Sequence, residues 1–505
     1  MSGQCLHLTD LWLADGTGSP LKKSEILVCD GRIAAVGKQD IGTGAGSVIK
    51  CKNMVAAPGF IDAHGHSDIS SLVSISSLHA RTTQGVTCEI AGNCGLSAFP
   101  VTEMNCDHLQ KLYAKYNFEI PWQSCAEMRE YARSKNLACS IEYLAGHNTL
   151  RGAVAGYGAG ELDEAQLDLL CALLDKSLEE GALGLSLGLL YVPGKFYTPE
   201  ELKRLFRTVA MRNKIVACHL KSEGRMLLES LEEMISYALE SGLKKLHISH
   251  FKTAGEANFH KLDPALEMMD AAREQGLDIT FDRYPYTQSM TQLSIVLPDE
   301  WSDIDDVTIT RKLQDDGICR KVLYDLRRLR DEEYWKGVIL VNTPLKEYDC
   351  HCGKTFDRIP GDPAEVVVEM LRCNSPMAIA AFTGMSVENM MKIISDPRCL
   401  AGSDGTSLPP DGTYGYDHPR SYGAISRFMR LLLDSNVPIE ETVRRVTGLA
   451  ADTFQLSDAG YIRPGASADI TVFNPSDIDS YSSFIVPTTP SRGIRHVIKR
   501  GVQLM

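Results

Sequence analysis

Hydrophobic and polar positions alternate with a period of two over Leu6–Leu13. Two more short apolar runs, Ile26–Cys29 and Ile33–Val36, flank the dipeptide Asp30-Gly31. Alternation of this kind marks a half-buried strand, and Asp-Gly between two such runs favours a tight hairpin. The far end of the chain has the same character: Ala468–Phe473 and Gly493–Val502 are short β-type runs preceded by Pro464-Gly465. Two all-β ends around a long middle predict one small β-sandwich domain built from residues 1–55 and 451–505. The middle changes period. Buried-type strands are expected at Val55–Ile61, Val86–Ala91, Cys139–Ala145, Leu183–Leu187, Ile215–His219, Lys245–His250, Asp278–Asp282 and Cys399–Gly402. Helical patterns such as Glu200–Arg212, Met226–Glu240 and Pro264–Gln275 lie between them. Such repetition predicts an α/β fold with a parallel sheet. Eight units predict a (β/α)8 TIM-type barrel over residues 56–450, with an open doubly wound sheet as the alternative. The gap between the seventh and eighth strands is too long for one helix. Residues from about 288 to 348, with the charged Lys321–Glu333 helix, are therefore expected to be an insertion.

Composition narrows the function classes. Of 505 residues, 44% are hydrophobic and 23% charged, which excludes a disordered or fibrous chain. Lys and Arg number 52 against 65 Asp and Glu, a net charge of −13 that repels phosphate backbones and anionic membranes. No nucleic-acid or membrane partner is expected, and no apolar run approaches the roughly 18 residues of a membrane span. The fifteen cysteines are odd in number and scattered, and the chain opens with polar Ser2, Gly3 and Gln4. Both features predict a reducing, cytoplasmic setting with free cysteines. Fourteen of them, including those of Cys350-His351-Cys352, are expected to be small buried side chains.

The chemistry collects at the carboxyl ends of the expected strands, where a barrel keeps its active site. The first strand runs into Asp62-Ala63-His64-Gly65-His66, whose two imidazoles can face one ion because residues two apart on a strand share a side. The second ends in Gly92-Asn93-Cys94-Gly95, where flanking glycines leave a thiolate free to reach a metal. His219 and His250 occupy matching ends of the fifth and sixth strands. The eighth ends in Ser403-Asp404-Gly405, and an aspartate there can take a proton from water and return it to a leaving group.

This set resembles the amidohydrolase superfamily and, within it, the D-aminoacylases or N-acyl-D-amino-acid deacylases. The likeness rests on Ala57–His66, Gly92–Gly95, Gly181–Ser186, Gly188–Gly194, Ser249–Lys252, Gly402–Gly405, His418-Pro419-Arg420 and Ile462–Asp469. It spans nearly the whole chain. The resemblance implies a zinc-dependent hydrolase that cleaves the amide bond of small N-acyl-D-amino acids. Cys94, His219 and His250 would hold a tight zinc, and His64, His66, Cys94 and Asp404 a weaker second site. It further implies that Asp404 is catalytic and that Lys252, Tyr284, Ser289 and Arg420 grip the substrate carboxylate. Physically, Arg420 can bind a carboxylate in two-pronged fashion, although without the resemblance Lys252 and Arg420 read as surface ion-pair residues and Tyr284 as packing. Phe251, between His250 and Lys252, departs from the small or polar residue usual there. Two alternatives share the histidines and the aspartate: an amidohydrolase acting on a cyclic amide, of hydantoinase or dihydroorotase type, and a non-catalytic scaffold of the same fold. The first is expected to carry a bridging lysine in place of Cys94. Oligomeric state is not legible.

Overall fold

The computed structural model describes residues 5–37, 46–373 and 377–505, so Ser2, Gly3 and Gln4 lie outside the described residues. Both ends of the chain feed one eight-stranded sheet. Cys5–Leu13 pairs antiparallel with Lys22–Cys29, which pairs in turn with Arg32–Gly37. The expected turn is there: Asp30 and Gly31 adopt φ of 52° and 76°, the mirror-type geometry that suits a right-twisted hairpin. A bulge between Leu8 and Leu11 resets the alternation, so that Leu6, Leu8, Leu11 and Leu13 are all buried. Val55–Pro58 joins this N-terminal meander to Ile470–Phe473 and, through it, to Ile494–Lys499. Leu8, Ile26, Val28, Ala56, Ile470 and Ile498 form their shared core.

The expected strand Val55–Ile61 is two strands. Val55–Pro58 stays in the terminal sheet, whereas Phe60–Asp62 pairs parallel with Val86–Ala91. Gly59 is the crossing point, and a Cβ there would lie 2.1 Å from Thr87 Oγ1. Phe60–Asp62, Val86–Ala91 and Ser140–Tyr143 make a three-stranded parallel sheet. Ala145–Gly146, Gly184–Gly188, Ile215–His219, Lys245–Ile248, Asp278–Arg283 and Cys399–Ala401 make a six-stranded one. The fold is mixed α/β, and the ladders do not run on as a single closed barrel. The third expected strand is broken at Leu144, whose N–H turns to Ala91 O at 2.9 Å while Leu183 N–H reaches Tyr143 O at 2.8 Å. Gly92 passes so near that a Cβ would meet Leu144 O at 2.2 Å. At the opposite edges, Ala63 N–H donates to Ala401 O and His66 N–H to Gly405 O, both at 3.0 Å.

Helices alternate with these strands as expected. Pro199–Met211 is typical: Thr198 caps it by accepting from Glu201 N–H at 3.2 Å, proline fills the first turn, and Leu202, Leu205, Phe206 and Val209 are buried. Between Arg283 and Cys399, Gln288–Gln292, Val338–Asn342 and Ile379–Thr383 form an antiparallel sheet. It has a core of its own around Leu293, Trp301, Trp335 and Phe356. This segment continues to Thr383, past residue 348, because its third strand completes the sheet. The expected Lys321–Glu333 helix is instead Asp316–Leu329, with a new helix Glu332–Lys336 started by Asp331, which accepts from Tyr334 N–H at 2.8 Å. Among the described residues no helix is long and apolar enough to cross a membrane.

Two cysteine expectations are corrected. Cys5 and Cys29 form a disulfide. They are register partners on neighbouring strands, so the hairpin brings their sulfurs together irrespective of cysteine density. Cys350 and Cys373 are exposed, since they lie at the ends of short helical segments on the surface.

A buried ionic knot ties the strand ends together. Arg81, fully buried, contacts Glu89 at 2.6 Å and Asp62 at 3.4 Å and donates to Ser421 O and Gly405 O, both at 2.9 Å. Asp62 in turn accepts from Ser403 N–H at 2.8 Å. Removing one member strands the others without water, so Arg81→Met is expected to lose about 3–5 kcal/mol in urea unfolding. A change below about 1 kcal/mol, the scale of an exposed ion pair, would show that the knot is dispensable.

Candidate metal centre

Cys94, His250 and Asp404 each follow a strand end, and all three adopt left-handed φ, of 53°, 38° and 49°. Non-glycine residues rarely take this conformation, at roughly 1–3 kcal/mol each, and where they do the surrounding structure holds them. That support is visible at Cys94. A Cβ on Gly188 would lie 2.0 Å from Cys94 O, so the neighbouring strand packs backbone to backbone against the cysteine turn. The turn is also held by Gly95 N–H donating to Ser186 Oγ at 3.1 Å.

These turns aim their side chains at one point. Cys94 Sγ lies 3.4 Å from His64 Nε2 and 3.4 Å from His250 Nε2. Two groups of donors result, each with all ligand atoms within 4.8 Å of one another: Cys94, His219 and His250, and His64, His66, Cys94 and Asp404. His66 Nε2 is 3.1 Å from Asp404 Oδ1, and His64 Nε2 is 3.6 Å from the same oxygen. Burial pushes the Cys94 thiol up, but His64 and His250 hold it well below the ordinary thiol range. Asp404 behaves likewise: burial raises it, yet Arg420 and the imidazoles hold it well below the usual carboxylate range.

The donors fit a zinc-type cation. Both ring nitrogens of His219 are buried without a hydrogen-bond partner, at a position where desolvated imidazole otherwise goes unsatisfied. A thiolate with neutral imidazoles suits a borderline-soft divalent ion, and an ion there satisfies the orphaned nitrogen.

The expected clamp residues divide. Arg420 opens the helix Arg420–Asp434, and its Nη1 is 2.9 Å from Asp404 Oδ2. Tyr284 lies beneath that guanidinium, 4.5 Å from ring centre to Cζ, with its hydroxyl buried and unpartnered. Lys252 is buried and engaged by Glu223, and its Nζ is 2.9 Å from His250 Nδ1. Ser289 sits on the strand Gln288–Gln292 and donates to Phe382 O at 3.5 Å. One residue further along the same face, Thr291 Oγ1 meets Tyr191 OH at 3.3 Å, and the Tyr191 ring stands edge-on to His219 at 5.1 Å. The inserted sheet thereby reaches the centre. Phe251 is buried against Phe281, 5.3 Å between ring centres, in the hydrophobic core.

Sequence reasoning passed over several residues here. Glu223 contacts His250 Nδ1 at 2.8 Å, Asp282 contacts His64 Nδ1 at 3.1 Å, and His418 Nδ1 accepts Arg420 N–H at 3.0 Å. Asp282 had a usable signal, an acidic residue inside the buried run 279–283 of its strand. Glu223 had none beyond lying four residues after His219.

A model of the amidohydrolase family matches residues 384–505. The chain is 28% identical over 492 residues to the N-acyl-D-glutamate deacylase of Alcaligenes xylosoxydans xylosoxydans, covering 97% of this chain and 91% of that one. It is 27% identical to the D-aminoacylase of the same organism over 495 residues, 97% and 92% of the two chains. Its fold matches the crystal structure of the N-acyl-D-glutamate deacylase of Bordetella bronchiseptica, complexed with zinc and a phosphonate inhibitor. There the TM-score is 0.82 at 26% identity, over 99% of this chain and 96% of that one.

The close approach of Gly188 to the cysteine turn gives a test remote from any donor atom. Gly188→Ala is expected to displace Cys94 and weaken the tightest metal binding by about tenfold or more, with the circular dichroism spectrum retained. Unchanged affinity in a metal-buffer titration would mean that this packing does not set the sulfur's position.

Proposed function

The chain belongs to the amidohydrolase superfamily, within its D-aminoacylase family, and from that premise we propose that it hydrolyses N-acyl-D-amino acids to a carboxylate and a free D-amino acid. The observation that carries this reading is the convergence of the Cys94 sulfur with imidazoles from separate strands, beside a buried carboxylate. In this reading Cys94, His219 and His250 hold a zinc ion, and His64, His66, Cys94 and Asp404 form a second, weaker site. When bound, zinc would polarise the scissile carbonyl and make a water acidic enough to attack at neutral pH.

The protein's own groups do the rest. Asp404, held ionised by its neighbours, takes a proton from the attacking water and passes it to the amide nitrogen as the bond breaks. Arg420 binds the substrate's α-carboxylate with the help of Tyr284, whose unpartnered hydroxyl is available to donate. Because Arg420 also touches Asp404, a carboxylate bound there lies one carbon from the amide nitrogen, next to the proton carrier. Lys252 and Ser289 complete the clamp, with Lys252 exchanging part of its contact with Glu223 for the substrate. Fixing the carboxylate on one side and the carbonyl on the other leaves the side-chain direction to separate enantiomers.

The architecture supports the same view. In this reading the two parallel sheets make up one (β/α)8 barrel over residues 56–450, linked by the hydrogen bonds at Leu144 and Ala63, with the segment from residue 288 as its insertion. Residues 1–55 and 451–505 belong, in the same reading, to one small terminal β domain of sandwich type, whose described strands share the eight-stranded sheet with Val55–Pro58. The substrate in this reading is a small molecule, with no nucleic acid or membrane partner, in a cytoplasmic setting.

Paired N-acyl-L- and N-acyl-D-amino acids, assayed with and without chelator, test the activity. Hydrolysis confined to the D series and abolished by chelator is expected; L-preference, or indifference to chelator, would overturn the reading. Asp404→Asn is expected to lower kcat by about 10²–10⁴-fold with the zinc of the Cys94–His219–His250 site retained. Arg420→Ala is expected to lower kcat/KM by about tenfold to a hundredfold for substrates with a free carboxylate and much less for their amides.

A further inference from the structure

Two carboxylates, Asp282 fully buried and Glu223 half-buried, each hold one of the two imidazoles that lie 3.4 Å from Cys94 Sγ. Glu223 lies against His250 Nδ1, at 2.8 Å. Asp282 does the same for His64, and it is itself part of a longer chain. Thr280 Oγ1 lies 2.9 Å from His247 Nδ1, His247 Nε2 lies 2.9 Å from Asp282 Oδ2, and His64 Nδ1 lies 3.1 Å from that same oxygen. Thr280, with 6% exposure, is the only one of the four that solvent touches appreciably. The donors and acceptors along this chain fix the tautomers: Thr280 donates its hydroxyl, and both histidines donate N–H to the carboxylate. That leaves Nε2 of His64, which faces Cys94 and Asp404, as the ring nitrogen free to hold an ion. The carboxylate is boxed in from behind as well, for a Cβ on Gly402 would lie 2.3 Å from Asp282 Oδ1.

His64 belongs to only one of the two donor groups, the one with His66, Cys94 and Asp404. We infer that Asp282, buttressed by His247, is a positioning residue that sets the affinity of this second metal site and leaves the Cys94–His219–His250 site alone. A carboxylate behind a ligating imidazole fixes ring orientation and raises the basicity of the free nitrogen, and its loss costs about 10–100-fold in metal affinity. His219 has no such partner and His250 has a different one, so the effect of Asp282 is confined to His64. The inference rests on the proposed assignment of two metal sites, and metal counting separates the two ideas.

The test is zinc uptake from chelator-buffered solutions, measured as equivalents bound per chain by elemental analysis, with no recourse to activity. The wild-type chain is expected to bind two equivalents with distinct affinities. Asp282→Ala is expected to weaken the second by about 10–100-fold while the first stays within about threefold, and His247→Gln to weaken it by a smaller factor in the same direction. Should Asp282→Ala fail to fold, Asp282→Asn keeps the shape and removes the charge, with about a tenfold loss expected at the second site alone. A purely structural role lowers the unfolding temperature without changing the ratio of the two affinities. Equal loss at both sites, or no loss at the second, overturns the inference while leaving the two-site assignment standing. A wild-type chain that saturates at one equivalent overturns the two-site assignment and the inference with it.

Discussion

The sulfur of Cys94 is buried among imidazoles, 3.4 Å from two of them, and a thiolate in such a place demands positive charge around it. That demand shapes the neighbourhood. His64 and His66, His219 and His250 come from three strand ends far apart in the chain, and packing brings them together around the sulfur. Three of the converging residues adopt left-handed backbone, which costs free energy that only surrounding contacts can offset. The strain is local, whereas the support comes from several neighbouring strands.

Behind the centre, charge is balanced in pairs rather than in bulk. Arg81 is matched by Glu89 and Asp62, Lys252 by Glu223, and Arg420 by Asp404. The cation of each pair is buried, and a buried pair adds little net stability against apolar replacement but is costly to break. Their value here is geometric. The Arg81 knot joins the first, second and eighth strand ends with the start of the helix at Arg420. The backbone that carries His64 and His66 is thereby held against the backbone that carries Asp404.

The inserted sheet meets the centre from the other side. Thr291 touches Tyr191, which stands against His219, so substrate chemistry at the metal donors is framed by residues with independent packing origins. The insertion has its own hydrophobic core around Trp301, Trp335 and Phe356. A segment that can fold around its own core can vary its inward face with little effect on the metal donors.

Strand positions were legible because buried parallel strands are short apolar runs, and Val86–Ala91 and Ile215–His219 begin and end where the pattern places them. The candidate donors stood out because polar residues at the ends of such strands face one another, and the side chains of His64, His66, Cys94, His219, His250 and Asp404 do converge. Other features had no local signature. The split at Gly59 depends on Thr87 lying against it, and the end of the insertion depends on a third strand at Ile379–Thr383. The Cys5–Cys29 disulfide depends on hairpin register. The pairing of imidazoles with carboxylates is not local either: its buried strand marks Asp282 as unusual, but nothing near His64 in the chain points to it, 218 residues away. The sequence by itself therefore determined which residue types could bind an ion and on which elements they sit, because periodicity and composition are local properties. Which carboxylate stands behind which imidazole was decided only by the tertiary structure, because burial makes every polar group find a partner in space, wherever in the chain that partner lies.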